Sequence, residues 1–429
     1  MHWLHPDDDP PLKRRRRPVV RLRYPLFLVL VIAAWFFLPG HRDGTGGMQP
    51  GGDSAMEGPA APAHMPGQAA RSLITHEDLA CIDQDTIDRY NLTIDWDLQQ
   101  FIAEKASQYK LYYGAVVVME AGSGDILALY GRGLGGEQDC SLGLVPDLGA
   151  SLFKLVTAVA ALEQAGFTSE SVFSYNGSAY TLYKRQLTDR RDKWTEDISL
   201  ADAFARSNNV VFGKIGCMHL GQQPLVLTAE KMGFGKSPLQ EILINPSESY
   251  LPQDEYGVAE LACGFNRHTR ISPLHAAQMV TAVLNGGFML TPRLVRGQGV
   301  EKARAMQGST ARALHDMMER TVRRGTVSKT FRGSSSDRVL KNLVIGGKSG
   351  SINGSDPEGR RNWFAGYARH KETGEGITIG CLLILNDRFW IEADTLSRLV
   401  IRRHFSRRSA ENRTAQAGGA FWQVSRSPG

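Results

Sequence analysis

Three short motifs follow one another along the chain: Ser151-Leu-Phe-Lys154, Ser207-Asn-Asn209 and Lys348-Ser349-Gly350. Together they supply a serine with an amine three residues on, a hydroxyl with an amide, and a second amine beside a hydroxyl. That inventory suits a serine acyl-transfer site working without a histidine base. A serine becomes nucleophilic when a neighbour takes its proton. A lysine can do so once desolvation or a second cation, here Lys348, favours its neutral form. Each pattern also recurs by chance, as Ser107-Gln-Tyr-Lys110, Ser174-Tyr-Asn176 and Ser351-Ile-Asn353 show. The shared order of all three motifs carries the reading.

The surrounding elements decide which copies can work. Lys154 to Glu163 has an apolar face at helical spacing, ended by Gly166, so Ser151 opens a helix and Lys154 shares its face. Such a start places free N–H groups and the positive dipole end beside the serine. Ser107 instead closes a helical stretch, Leu98 to Ser107, and its lysine cannot lie one turn further along. Lys348 ends the strand-like run Leu343 to Lys348. There Gly350 lets a ligand approach, a lysine and a hydroxyl can hold a carboxylate, and the strand edge can pair with an extended peptide. Further strand-like runs are Leu92–Asp95, Gly114–Glu120, Asp125–Tyr130, Trp363–Tyr367 and Ile377–Leu385, and the 121–124 turn makes the second and third a hairpin. Leu200–Ile215, Leu274–Leu284 and Ile391–Phe405 read as helices. Strands at both ends with helices between predict an α+β fold: an antiparallel sheet flanked by helices, with a helical subdomain inserted.

With 429 residues, 42% hydrophobic and 22% charged, the chain can bury a substantial core. Its +6 charge is no nucleic-acid footprint, because residues 1–40 hold seven cations (Lys13, Arg14–Arg17, Arg21, Arg23) against Asp7–Asp9, a surplus of +4. The basic run precedes the uncharged stretch Pro25–Leu38, which is short for a span of about 20 residues. Val19, Val20 and Leu22 extend it if Arg21 and Arg23 snorkel, which predicts a single anchor with the body outside the cytoplasm, on the periplasmic or extracellular side. A cleaved signal peptide and a buried core helix are the alternatives, although no small-x-small site follows promptly. Cys81, Cys140, Cys217, Cys263 and Cys381 form no CxxC, so neither zinc nor a thioredoxin-type motif is indicated. An exported body could oxidise a pair of them, and the odd count leaves at least one thiol.

The motif order resembles the penicillin-binding protein transpeptidase domain, a serine acyltransferase of the penicillin-binding protein and β-lactamase superfamily. The likeness covers roughly residues 90–400 and includes Leu92-Thr-Ile-Asp with Leu98-Gln99, the Val116–Leu129 hairpin, Ile271-Ser-Pro-Leu-His-Ala-Ala277, Asn285-Gly-Gly287, Arg324-Gly-Thr326 and Trp363-Phe-Ala-Gly-Tyr367. It implies that Ser151 is acylated with Lys154 as base, that Ser207 relays protons toward the leaving amine, and that Asn209 holds the substrate backbone. Lys348 and Ser349 would bind the terminal carboxylate beside Gly350. The N–H groups of Ser151 and Ser351 would form the oxyanion hole. Within this class, which lysine or serine moves which proton is disputed. Ser349 and Ser351 stand where the family commonly has threonine, and Leu148-Gly-Ala150 lacks the usual proline-glycine.

The expected organisation is a cytoplasmic basic tail over 1–18, an anchor over 19–38, a flexible linker over 39–74, a transpeptidase domain over 75–405 and a mobile polar tail over 406–429. The stretch between 38 and the first family strand leaves no room for a glycosyltransferase domain. The resemblance implies a membrane-anchored peptidoglycan DD-transpeptidase that takes D-Ala-D-Ala stem peptides, is inhibited by β-lactams, needs no metal or cofactor, binds no nucleic acid, and works beside a membrane glycosyltransferase. Alternatives are a DD-carboxypeptidase, a non-catalytic β-lactam sensor or cell-wall scaffold, and a β-lactamase. For the last, Glu241-Ile-Leu-Ile-Asn245 fits the E-x-x-x-N loop whose glutamate activates the deacylating water.

Overall fold

Strands from the two ends of the chain meet in one sheet. A computed structural model describes residues 74–75, 77–387 and 389–424, so the expected basic tail, the anchor and the linker up to residue 73 lie outside the described residues. The helices α1 (Gln84–Tyr90) and α2 (Trp96–Gln108) lead into β1 (Tyr113–Glu120) and β2 (Ile126–Arg132). Far along the chain come β9 (Leu343–Ser355), β10 (Glu358–His370) and β11 (Gly376–Leu385). The sheet order is β2-β1-β11-β10-β9, antiparallel throughout, with Val116 opposite Cys381 and Ser349 opposite Phe364.

Both faces of this sheet are covered, which is why its strands read as near-continuous apolar runs. In β1, Val116 and Val118 pack with residues of α2 and of the closing helix α10 (Ala393–Val424), while Val117 and Met119 pack with Ile82, Leu92 and Leu294 on the other side. Arg407 of α10 bonds Asp95, the N-cap of α2, at 2.8 Å.

Between the two strand groups lies a helical region with its own core. It contains α3 (Lys154–Glu163), α4 (Leu200–Ala205), α5 (Asn209–Lys214), α6 (Gln222–Lys231) and α7 (Glu255–Cys263); α8 (Pro273–Leu284) and α9 (Gly308–Arg324) follow. Three small ladders join the connections: β3 (Asp147–Leu148) with β6 (Arg270–Ile271), β4 (Val172–Tyr175) with β5 (Glu196–Ser199), and β7 (Phe288–Leu290) with β8 (Lys302–Arg304). Every residue of α3 from Lys154 to Ala161 is buried, as expected of a helix that is apolar on nearly all sides.

Three local expectations are corrected. Leu92–Asp95 makes only an isolated bridge, Leu92 to Val295, because Asp95 turns the chain into α2 by capping Leu98 N–H at 3.2 Å. The helix expected over Leu200–Ile215 breaks after Ala205 and restarts at Asn209, where Asn208 caps Val211 N–H. Ser and Asn side chains compete for backbone groups and so favour caps over helix interiors. The closing helix runs to Val424, well past the expected start of a mobile tail at residue 406. All five cysteines are free. Among the described residues no helix is long and apolar enough to cross a membrane.

Candidate active site

Ser151 sits in a 3₁₀ turn, Ala150–Phe153, that runs straight into α3. The turn is entered through Ala150 at φ 46°, a left-handed conformation costing an alanine roughly 1 kcal/mol. The alanine thus makes the turn that the missing proline-glycine left open. Gly264, the left-handed C-cap of α7, closes over it: a Cβ there would lie 1.9 Å from the Ala150 carbonyl oxygen.

Lys154 is 0% exposed. Its Nζ donates to Ser151 Oγ (2.8 Å), Asn209 Oδ1 (2.7 Å) and the Cys263 carbonyl (2.6 Å). Those three bonds satisfy the ammonium form completely. When the amine is neutral, one lone pair must find a hydrogen. Asn209 Oδ1 and the Cys263 carbonyl can only accept, so Ser151 alone can return a bond. In its neutral form, Lys154 would therefore be paired with a Ser151 O–H aimed at it. Burial lowers the Lys154 pKa to about 8, while the nearby Cys263 thiol raises it slightly.

The break between α4 and α5 places the second motif. Ser207 occupies it at φ 56°, with its N–H bonded to the Phe204 carbonyl. Its Oγ accepts from Lys348 Nζ at 2.9 Å, and that amine also donates to the Ser349 carbonyl at 2.7 Å. Asn209, two residues on, faces Lys154 instead, and its Nδ2 donates to the Tyr180 carbonyl at 2.9 Å. The residues flanking the break form an aromatic floor: Lys348 Nζ lies 5.7 Å from the Phe204 ring centre and Lys154 Nζ 5.7 Å from that of Phe212.

Lys348 is also 0% exposed, and its pKa is lowered well below the usual lysine value, first by burial and then by the Lys154 cation. The repulsion expected between the two amines acts on the pair, and burial is the larger cause at each. Buried and bonded to Ser207, Lys348 presents no free donor on the strand surface. Ser349 does: its hydroxyl pairs at 2.6 Å with Thr326 Oγ1, and the pair is solvent-accessible. In the sequence Thr326 carries no signal of its own beyond the Arg324-Gly-Thr326 run. Its position follows from Gly325, whose missing Cβ admits the Ala205 carbonyl, to which Thr326 N–H donates at 3.0 Å. The supporting carbonyls of Cys263 and Tyr180 carry no sequence signal, since any residue type offers one.

β9 is an edge of the sheet, and Gly350 brings it against Ser151: a Cβ there would stand 3.4 Å from Ser151 N. Exposed Ser351 follows on the same strand, opposite Asn362. All eight expected site residues thus gather where α3, the α4–α5 break and β9 converge. The decoy lysine Lys110 lies beyond the end of α2 at φ 46°. Glu241 is elsewhere too: its carboxylate accepts Leu294 N–H (2.9 Å), Val295 N–H (3.3 Å) and Gln240 N–H (3.2 Å), so it fastens backbone rather than poising a water.

The sequence model of the penicillin binding protein transpeptidase domain matches residues 114–382, more than half of the chain. No curated protein matches significantly. Solved structures share the fold at low identity. Penicillin-binding protein A of Mycobacterium tuberculosis is 21% identical, with 72% of this chain and 79% of that one covered and a TM-score of 0.56. The D,D-transpeptidase domain of a peptidoglycan glycosyltransferase from Eggerthella lenta is 20% identical, with 73% and 82% covered and a TM-score of 0.56. A peptidoglycan glycosyltransferase of Burkholderia ambifaria is 18% identical, with 75% and 98% covered and a TM-score of 0.57. On the match over 114–382, the chain belongs to the penicillin-binding protein transpeptidase family.

Proposed function

We propose that this chain is a membrane-anchored peptidoglycan DD-transpeptidase acting outside the cytoplasm, tethered by the apolar segment before residue 39. The observation that carries the chemistry is the Lys154 amine, buried and bonded so that its lone pair can face only Ser151. Lys154 takes the Ser151 proton as Oγ adds to the penultimate D-Ala carbonyl of a stem peptide. The N–H groups of Ser151 and Ser351 hold the developing oxyanion. The C–N bond then breaks and D-Ala leaves as its amine gains a proton, delivered through Ser207 with Lys348 behind it. An amine of a second stem peptide attacks the ester and gives its proton to the same relay, and the ester C–O bond breaks as Lys154 returns its proton to Ser151 Oγ. The Ser349–Thr326 hydroxyl pair suits the terminal carboxylate of the donor peptide. A second hydrogen on Asn209 Nδ2 is left for the substrate backbone.

A penicillin presents a strained amide and a carboxylate to the same groups, and penicillin-binding protein A of M. tuberculosis has been solved as a penicillin G acyl-enzyme. The same adduct is expected on Ser151. A membrane glycosyltransferase is the fitting partner, since a cross-linker consumes the strands such an enzyme makes; co-purification tests it. Against the β-lactamase alternative speaks the Glu241 carboxylate, which accepts the N–H groups of Leu294 and Val295. The deciding experiment is mass spectrometry of the full chain after benzylpenicillin, followed by incubation of a D-Ala-D-Ala peptide with an amine acceptor. A stable adduct on Ser151 and an amide-linked product support the reading. A D-Ala release that never incorporates acceptor points to a carboxypeptidase.

A further inference from the structure

Arg361 lies outside all three motifs yet is 1% exposed. Its Nε donates to Asp147 Oδ1 at 2.9 Å, four residues before the nucleophile. Its Nη1 donates to the carbonyls of Pro357 (2.6 Å) and Gly359 (3.1 Å), and its Nη2 to that of Asp356. One guanidinium therefore grips both the tip of the β9–β10 hairpin and the segment that delivers Ser151. Two residues along β10, Trp363 Nε1 donates to the Leu148 carbonyl at 2.8 Å. The two side chains share one face of β10 and hold consecutive residues, Asp147 and Leu148.

The reach of these side chains depends on two glycines of the edge strand. Trp363 is paired with Gly350, and a Cβ on Gly350 would stand 3.3 Å from Trp363 Cβ and 3.3 Å from Ala150 Cβ. A Cβ on Gly354 would meet Arg361 Nη1 at 2.4 Å. With side chains missing at both places, β10 reaches across β9 to the approach of the nucleophile. The other end of that approach is fixed by Leu148 pairing with Arg270 and by Gly149 N–H donating to the Thr269 carbonyl at 3.0 Å.

We propose that Arg361 is a positioning residue for acylation: through Asp147 it sets where Ser151 stands relative to the β9 edge on which an extended substrate would lie, and it ties that position to the conformation of the hairpin tip. The proposal rests on the reading that Ser151 is acylated. Arginine suits the role because its planar fork bonds a carboxylate and several carbonyls at once, which a lysine cannot. Arg361, Asp147 and Trp363 bond only to the chain itself, so in this proposal their loss slows the bond-forming step without weakening the encounter.

The test is acylation of the full-length chain by benzylpenicillin over a range of concentrations, separating the first-order acylation constant from the half-saturating concentration. The variants are Arg361→Lys and Asp147→Asn, both assayed below each variant's melting temperature. Each is expected to lower the acylation constant about 10- to 100-fold with little change in half-saturation. Folded single variants that acylate at the wild-type rate, or lose only affinity, overturn it. Should the Arg361 variants fail to fold, Asp147→Asn and Trp363→Phe each weaken one half of the latch and are held to the same criterion. A wild-type chain that takes no penicillin overturns the acylation reading and the latch with it. Wild-type acylation with unaffected variants sinks the latch alone.

Discussion

Lys348 Nζ on the sheet edge donates a 2.9 Å hydrogen bond to Ser207 Oγ, a residue held in the left-handed conformation between two short helices. That bond joins a strand to a helix break far from it in sequence, and it leaves Lys154 to Ser151. Two buried amines, each bonded to its own hydroxyl, form two pairs that share one aromatic floor.

Removing the Ser151 hydroxyl separates chemistry from fold. Ser151→Ala is expected to abolish the penicillin adduct while leaving the melting temperature nearly unchanged, because the hydroxyl is only half-buried. Lys154→Met should lower the acylation rate by about 10²–10⁴, the usual worth of a positioned base. Calorimetry and intact-mass kinetics check both.

Acylation should depend on pH in a defined direction. The Lys154 pKa is lowered to about 8, and only the neutral amine accepts a proton. The rate should climb as pH rises toward 8 and flatten above it. Stability follows the same sign: between the folded value near 8 and the ordinary lysine value the unfolded chain binds more protons, so folding gains as pH rises through that window. A rate that falls between pH 6 and 8 contradicts this assignment.

Ser207→Ala should hurt more than its size suggests. Lys348 would keep the Ser349 carbonyl but lose its hydroxyl acceptor in a fully buried place. An unsatisfied buried donor costs about 1–3 kcal/mol, and the relay to the leaving amine is lost as well. We expect a drop in acceptor transfer of about 10²-fold. Ser207→Thr, which keeps the hydroxyl, should retain more activity than Ser207→Ala in a peptide cross-linking assay.

Gly264→Ala tests the turn that carries Ser151. Its Cβ would stand 1.9 Å from the Ala150 carbonyl oxygen at a φ of +72°. Overpacking plus left-handed strain should destabilise by about 2–4 kcal/mol and displace the nucleophile. Both melting temperature and acylation should fall; an unaffected variant would show that the α7 cap does not brace the turn.

Glu241→Gln should leave the lifetime of the penicilloyl adduct unchanged, since this carboxylate holds the N–H groups of Leu294 and Val295. Stability should drop by about 1–2 kcal/mol. Measured deacylation that slows in this variant would restore the glutamate to the reaction.

Legibility differed from element to element for physical reasons. α3 was readable residue for residue, because a ten-residue apolar pattern with a lysine at its start has few other ways to bury itself. β1, β2 and β11 were readable as buried strands for the same reason. The α4–α5 break was not, although its cause was in plain view: Ser207-Asn208-Asn209 is a cap sequence set inside an otherwise continuous apolar period, and the period dominated the reading. Thr326 went unassigned because its value lies in a contact with Ser349, which local pattern cannot report.

What the amino-acid order by itself determined is the set of candidate groups and the elements that carry them: a serine at a helix start, its lysine one turn along, a hydroxyl with an amide, and a lysine on a glycine-marked strand. These depend on near-neighbour spacing, which a one-dimensional string contains. Tertiary structure alone decided which amine meets which hydroxyl, that Asn209 faces Lys154 while Ser207 faces Lys348, and that Arg361 and Trp363 steady the approach to Ser151. Those pairings arise when distant segments pack and exclude water, and burial is also what lowers the pKa of both lysines.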